Sequence, residues 1–271
     1  MQQLLKGATV AIVGDDVVDR EVLYKSRELR LLVRWGAGID NVDLSTAQEL
    51  GIQVSNTPGL FGEDVADLAL GLALSCVRGV AFGDRMVRNG QWPKQSSHSF
   101  RQLRFCVLGL GAVGRQVATL LTAFGGTVKV YDPQISSDFA ATSEWLRCDS
   151  LEAALKESNV LFLCLPLSPA TENLIDSAKL QLMGSPAFVI NVARGGILNQ
   201  ADLFDLIDAG RIHGAGLDVF ESEPLNLETL PVRSDGITLS AHNASNTFRS
   251  IDKANAAVDS LIIQFARKAA F

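Results

Sequence analysis

Residues 105–132 limit the possible folds more than any other stretch of this chain. The apolar run Phe105-Cys106-Val107-Leu108 is followed at once by Gly109-Leu110-Gly111-Ala112-Val113-Gly114, and these glycines open a helical pattern from Arg115 to Phe124. A second apolar run, Val128 to Tyr131, ends in Asp132-Pro133. Strand, glycine turn, helix, strand and acid, in that order, describe a dinucleotide-binding βαβ unit. One glycine makes the tight turn, one lets the backbone approach a pyrophosphate, and one permits close helix–sheet packing. The helix start adds unpaired N–H groups and a positive dipole end. Asp132 then falls where the adenosine ribose diol lies. A 2′-phosphate would meet a like charge there, with no Arg or Lys in the next several residues to neutralise it, so NAD is expected over NADP. On the plainer reading the glycines serve only a tight turn and Asp132 caps a loop.

The rest of the chain extends this pattern. Strands are expected at Val10–Val13, Leu31–Arg34 and Gln53–Ser55, then at Val160–Leu165, Phe188–Asn191, Ala215–Val219 and Ile237–Ser240. Helical segments separate most of them, and right-handed crossovers between such strands give a doubly wound parallel sheet. The sequence therefore predicts an α/β protein with a Rossmann domain and a smaller, flavodoxin-like domain. Residues 1–95 are assigned to the small domain, with the polar segment Asn89 to Ser99 as the crossing. Residues 96–243 are assigned to the dinucleotide-binding domain, and 244–271 to a helix returning to the first domain.

A formal net charge of −6 gives no general attraction for nucleic acid or anionic lipid. The apolar stretch from Leu68 to Val77 is too short to cross a bilayer. Cys76, Cys106, Cys148 and Cys164 are widely separated and lack metal spacing, which suits reduced structural thiols in a cytoplasmic protein.

Three polar residues follow predicted strand ends, the edge at which open α/β sheets bind ligands. Arg194, in Asn191-Val192-Ala193-Arg194-Gly195-Gly196, has room to fork onto a carboxylate. Glu223 closes Leu217-Asp218-Val219-Phe220-Glu221-Ser222-Glu223, and His242 follows Leu239-Ser240-Ala241. A histidine with a carboxylate partner is suited to protonate a carbonyl oxygen as hydride reaches the carbon. Singly, each residue also fits an ordinary surface role, and their shared edge is the argument for chemistry. His98 and His213 lack this setting and are expected to be structural or solvated.

Across nearly all its length the sequence resembles the D-isomer-specific 2-hydroxyacid dehydrogenases. The resemblance is carried by Gly36-Ala37-Gly38-Ile39-Asp40-Asn41-Val42-Asp43, Asn56-Thr57-Pro58-Gly59, the Gly109–Gly114 turn, Leu165-Pro166-Leu167-Ser168-Pro169, Asn191 to Gly195, and Leu217 to Phe220 with Glu223-Pro224. It implies an NAD-dependent oxidoreductase acting on the CH–OH group of donors, interconverting 2-keto acids and D-2-hydroxy acids. Arg194 would bind the substrate carboxylate and carbonyl, His242 would be the acid/base, and Glu223 would orient it. Backbone N–H groups of Ala37 and Gly38 would meet the substrate carboxylate. Cofactor contacts are implied at Val65, Gly109, Gly111, Ala112, Val113, Gly114, Asp132, Leu165, Pro166, Val192, Ala193 and Asp218, the last facing the nicotinamide carboxamide. A homodimer is the family expectation.

Two departures stand out. Ala241 replaces the proline that usually precedes the catalytic histidine, and the βα units that family members carry ahead of Val10 are missing, so the small domain is expected to be partial. Arg34-Trp35-Gly36-Ala37-Gly38 looks like the corresponding stretch of phosphoglycerate dehydrogenases, so Arg34 is a candidate for a substrate phosphate. A surface arginine stacked beside Trp35 is the alternative. The resemblance also leaves open an NAD-binding protein without turnover, either a recognition module like the C-terminal-binding-protein corepressors or a shortened dehydrogenase.

Overall fold

Short runs of β-branched residues and leucine supply most of the strands of this chain. The computed structural model describes residues 5–135 and 144–269. Its strands form two parallel sheets, and the chain divides into two units, Met1–Phe61 with Ser245–Phe271, and Gly62–Ala244.

In the first unit, β1 (Val10–Val13), β2 (Leu31–Arg34) and β3 (Gln53–Asn56) pair in the order β1-β2-β3. Side chains along a strand alternate between its faces, and β2 shows the consequence. Leu32 packs with Val18, Leu23, Leu29 and Ala47 on one side, while Leu31 and Val33 pack with Val258, Leu261 and Ile262 of the helix Phe248–Ala269 on the other. Each such buried aliphatic side chain contributes about 1.5–3 kcal/mol. The helices Arg20–Lys25 and Leu44–Glu49 start at Asp19 and Asp43, whose carboxylates accept the N–H groups of Val22 (2.9 Å) and Thr46 (3.0 Å).

The second unit holds β4 (Arg104–Leu108), β5 (Thr127–Tyr131), β6 (Leu146–Arg147), β7 (Val160–Leu163), β8 (Phe188–Asn191), β9 (Gly214–Leu217) and β10 (Ile237–Leu239). Their order is β10-β9-β8-β7-β4-β5-β6, parallel throughout. The winding reverses between β4 and β7, which opens a crevice at the C-terminal strand ends. Every residue of β7, β8 and β9 is buried, as a sheet covered on both faces requires.

The boundary differs from the sequence reading, which placed it at residue 95. The helix Gly62–Arg78 belongs to the larger unit, because its buried face, including Val65, Ala69, Leu72 and Ala73, packs on the helix Ala112–Ala123 and on β8 and β9. The segment Asn89 to Ser99 therefore lies within that unit and is not the crossing. Among the described residues no single helix is long and apolar enough to cross a membrane.

Candidate active site

The glycine turn leaves the centre of the larger sheet at the end of β4. Gly109 has φ +85°, and its N–H donates to the Tyr131 carbonyl at 2.9 Å. A Cβ on Gly114 would lie 1.8 Å from the Gly109 carbonyl oxygen, so helix and turn touch backbone to backbone. Around Gly111, by contrast, a Cβ would meet nothing within 4 Å. Gly111 is also the N-cap of the helix Ala112–Ala123 and offers no side-chain cap to its first N–H groups. The helix start at Ala112 and Val113 is thus open to an anion.

Asp132 is fixed beside this turn. Its Oδ2 accepts the Leu110 N–H at 2.8 Å, and its Oδ1 accepts the Gln134 N–H at 2.9 Å. A carboxylate oxygen has further acceptor capacity, so both remain able to receive a diol. Leu165 follows β7 and comes close to Gly109, while Thr171 Oγ1 donates to the Pro166 carbonyl at 2.7 Å. Val65 lies in the helix Gly62–Arg78 and is buried.

Beyond β8, the buried Asn191 grips the loop that carries Arg194. Its Nδ2 donates to the Arg194 carbonyl at 3.0 Å, and its Oδ1 accepts the Ala193 N–H at 3.0 Å. Val192 is buried and Ala193 half-buried, and Arg194 itself is half-buried with Nη1 donating to the Ala193 carbonyl at 2.7 Å. A Cβ on Gly195 would lie 1.9 Å from the Phe220 carbonyl carbon, so this loop rests directly on the loop after β9.

The loop after β9 holds Glu223 against His242. Glu223 Oε1 accepts the Phe220 N–H at 3.0 Å, and Oε2 lies 2.8 Å from His242 Nδ1. With Nδ1 engaged by the carboxylate, Nε2 is the ring nitrogen left to exchange a proton. Both side chains are partly exposed, 27% for His242 and 36% for Glu223, so a ligand can reach them. His242 has φ +49°, a left-handed conformation that costs a non-glycine residue about 1–2 kcal/mol. Its N–H donates to the Asp218 carbonyl at 2.7 Å. Asp218, 1% exposed, accepts the Asn243 N–H on Oδ1 (2.9 Å) and the Ala244 N–H on Oδ2 (3.0 Å). Hydrogen bonds to a charged acceptor contribute about 1.5–3 kcal/mol each, enough to hold the strained turn.

Arg194, Glu223, His242, the glycine turn and Asp132 thus share one edge of the larger sheet. The positions assigned to substrate in the first unit have their own bracing. Asn56 Nδ2 donates to the Ala37 carbonyl at 2.6 Å, Thr57 Oγ1 accepts the Gly36 N–H at 2.9 Å, and Gly38 is half-buried. The Arg34 side chain is 8% exposed, pairs with Asp15 and donates to the Trp35 carbonyl. It is built into its own unit, whereas the sequence reading left it as a phosphate ligand or a surface residue.

His98 and His213 lie elsewhere, with ring centroids 6.2 Å apart. They line a cavity of about 410 Å³ with Arg78 and Phe188 at the N-terminal ends of β8–β10, opposite the edge just described. Burial, followed by the neighbouring His98 and then Arg211, lowers the His213 pKa. Sequence reasoning missed what Asn191 and Asp218 bind. The signal available was a polar residue ending an otherwise buried apolar strand.

Residues 70–244 match the model of the D-isomer specific 2-hydroxyacid dehydrogenase NAD binding domain. The chain belongs to this family. D-3-phosphoglycerate dehydrogenase of Methanocaldococcus jannaschii is 33% identical over 81% of the chain, although the match spans only 43% of that longer protein. Glyoxylate reductase of Korarchaeum cryptofilum is 32% identical, covering 93% of the chain and 77% of the relative. Among solved structures, D-lactate dehydrogenase from Aquifex aeolicus, complexed with NAD and lactic acid, superposes with a TM-score of 0.89 at 26% identity, over 99% of this chain and 86% of that one.

NAD is the cofactor of this 2-hydroxyacid dehydrogenase, and the residues present fit it. The uncapped helix start at Gly111 suits a pyrophosphate, and Asp132 suits a ribose diol while opposing a 2′-phosphate.

Proposed function

We propose that this dehydrogenase reduces a small, unphosphorylated 2-keto acid, glyoxylate or hydroxypyruvate, to the D-2-hydroxy acid with NADH. The observation that carries this reading is the 2.8 Å contact between Glu223 and His242 on the sheet edge that also bears Arg194 and the glycine turn.

NADH, when bound, supplies the hydride to the keto carbon. Arg194 holds the substrate carboxylate and carbonyl through its planar guanidinium. His242 gives the proton on Nε2 to the carbonyl oxygen, and Glu223 keeps Nδ1 oriented and balances the charge of the imidazolium. In the oxidative direction His242 takes that proton back. Ala37 and Gly38 offer backbone N–H groups to the substrate carboxylate. Val65, Leu165, Pro166, Val192 and Ala193 wall the cofactor.

Two observations support an unphosphorylated substrate. Arg34 is nearly buried and bonded to Asp15 and the Trp35 carbonyl, so presenting it to a phosphate requires breaking that pair. The glyoxylate reductase match also extends over more of both chains than the phosphoglycerate dehydrogenase match.

In this reading the protein works as a cytoplasmic homodimer. Exposed Val80, Val87 and Trp92 along the helix Val80–Arg88 and the segment after it support self-association, and four free cysteines suit a reducing compartment.

The test is NADH oxidation against glyoxylate, hydroxypyruvate, pyruvate and phosphohydroxypyruvate, with NADPH in parallel. Turnover of glyoxylate or hydroxypyruvate ahead of phosphohydroxypyruvate, with NADH preferred, is expected. Preference for phosphohydroxypyruvate would overturn the substrate assignment. Silence across the panel by protein that binds NADH would overturn the enzyme reading.

A further inference from the structure

The cavity at the N-terminal ends of β8–β10 is lined entirely by the larger unit and lies across the sheet from Arg194, Glu223 and His242. We propose that it is a second ligand site, which takes the phosphate group of a small molecule on Arg78, Ser97 and His213.

Three donors line it, each with its remaining valence set by another bond. Arg78 Nε donates to Ser97 Oγ at 3.0 Å, and among the described residues no other hydrogen bond or ion pair engages this guanidinium. Both Nη groups are therefore left for an oxyanion, which a planar guanidinium binds in a fork. Ser97 Oγ accepts from Arg78, so its own O–H is a donor. His213 Nδ1 accepts the Ala187 N–H at 3.3 Å, which puts the proton of the neutral ring on Nε2. Two nitrogens and a hydroxyl suit a group with three terminal oxygens.

The rings are held in place. His98, Phe188 and His213 form one cluster, with centroids 6.1–6.2 Å apart, on the buried Phe188. The charge balance of the cavity also differs from that of the chain, whose formal net charge is −6. Arg78 is cationic, and His98 and His213 can only add positive charge. Burial keeps Cys76 a neutral thiol, with its pKa pushed up to about 11. Asp235, the acid on the wall, is paired with Arg85 at 3.6 Å. The helix Val80–Arg88 starts at the same cavity, and its N-cap Gly79 gives the first N–H groups no side-chain partner. A volume of about 410 Å³ leaves room beyond the phosphate for a small body against Val77, Phe82 and Phe188.

The three histidines of the chain make the test internally controlled. Inorganic phosphate, titrated at fixed ionic strength, should shift the ¹⁵N ring resonances of His98 and His213 saturably. Arg78→Gln, in the exposed last turn of its helix, should weaken that binding by about tenfold or more with little change in Tm. Ser97→Ala, in the exposed loop, is the second variant and should also weaken it. Affinity unchanged in both variants, or shifts that never saturate, would overturn the site. Shifts confined to His242 would place the anion at the opposite edge and overturn it as well.

Acetate should bind more weakly than phosphate, and equal affinity would overturn the phosphate class. Phenyl phosphate separates two sources of that group. Binding at least as tight as inorganic phosphate points to a monoester whose body rests on the rings, and binding about tenfold weaker points to free phosphate. These readings need no turnover, so they stand apart from the keto-acid assay.

Discussion

Glu223 and His242, 19 residues apart in the chain, meet at 2.8 Å because the Phe220 N–H turns the carboxylate and the Asp218 carbonyl holds the histidine backbone. The pair is therefore assembled by the loop after β9 rather than by either side chain alone. Glu223→Gln keeps the size but removes the charge that orients and balances the imidazolium. Its kcat should fall by about tenfold or more, a part of the roughly 10²–10⁴ that a positioned acid contributes, while NADH affinity is retained. Steady-state kinetics beside an NADH titration check this.

Asn191 should act on the other half of the substrate. Asn191→Ala removes both bonds that hold the Arg194 loop. The KM for the keto acid is expected to rise about tenfold, equivalent to about 1.4 kcal/mol of lost binding, with NADH affinity little changed. An unaltered KM in a folded variant would show that the Arg194 loop holds its shape without this clamp.

The glycines of the turn should separate by role. Gly114→Ala pushes a Cβ to 1.8 Å from the Gly109 carbonyl oxygen and should lower stability by about 1–3 kcal/mol or more, read as Tm. Gly111→Ala has open space around it and an ordinary φ of −69°, so the fold should persist. NADH affinity should nevertheless drop, because the added methyl stands where the pyrophosphate approaches.

Cofactor choice should respond to Asp132. Asp132→Ala removes the carboxylate that takes the Leu110 N–H. Weaker NADH binding and a shift of the NADH-to-NADPH ratio toward NADPH are expected. An unchanged ratio would contradict the ribose contact.

A further outcome concerns acid stability. The Thr46 N–H, aided by the Ser45 and Thr46 hydroxyls, holds the Asp43 carboxyl at about 2, below its ordinary 3.8. A depressed folded-state pKa stabilises above the unfolded value and is lost as pH falls through the folded one. The cap of the helix Leu44–Glu49 should therefore weaken between about pH 4 and pH 2. Asp43→Ala should flatten that part of the acid unfolding curve while lowering Tm at neutral pH.

Much of this architecture was readable from residues. The short apolar runs of β2, β7 and β8, buried at every residue, mark strands that the sequence shows directly. The two-residue edge strand Leu146–Arg147 carries no such pattern, because it owes its pairing to Lys129 and Val130 of β5. The boundary at Phe61 was hidden for a related reason. The helix Gly62–Arg78 shows an apolar face in the sequence without naming its partner, and its fit against the helix Ala112–Ala123, β8 and β9 assigns it.

Within the site, Arg194, Glu223 and His242 were visible as polar residues after strand ends. The clamps by Asn191 onto Ala193 and Arg194, and by Asp218 onto a turn 25 residues away, were marked only by a polar residue at the end of a buried strand. Arg34 shows the converse. Its type and neighbours suggested a ligand, yet its partner Asp15 lies on the preceding strand–helix connection, 19 residues away.

The most direct test of the account is keto-acid-dependent NADH oxidation by His242→Ala, measured with NADH binding on the same preparation. The account predicts a fall in turnover of about a hundredfold or more with NADH affinity nearly unchanged. Near-normal turnover by the folded variant would contradict it.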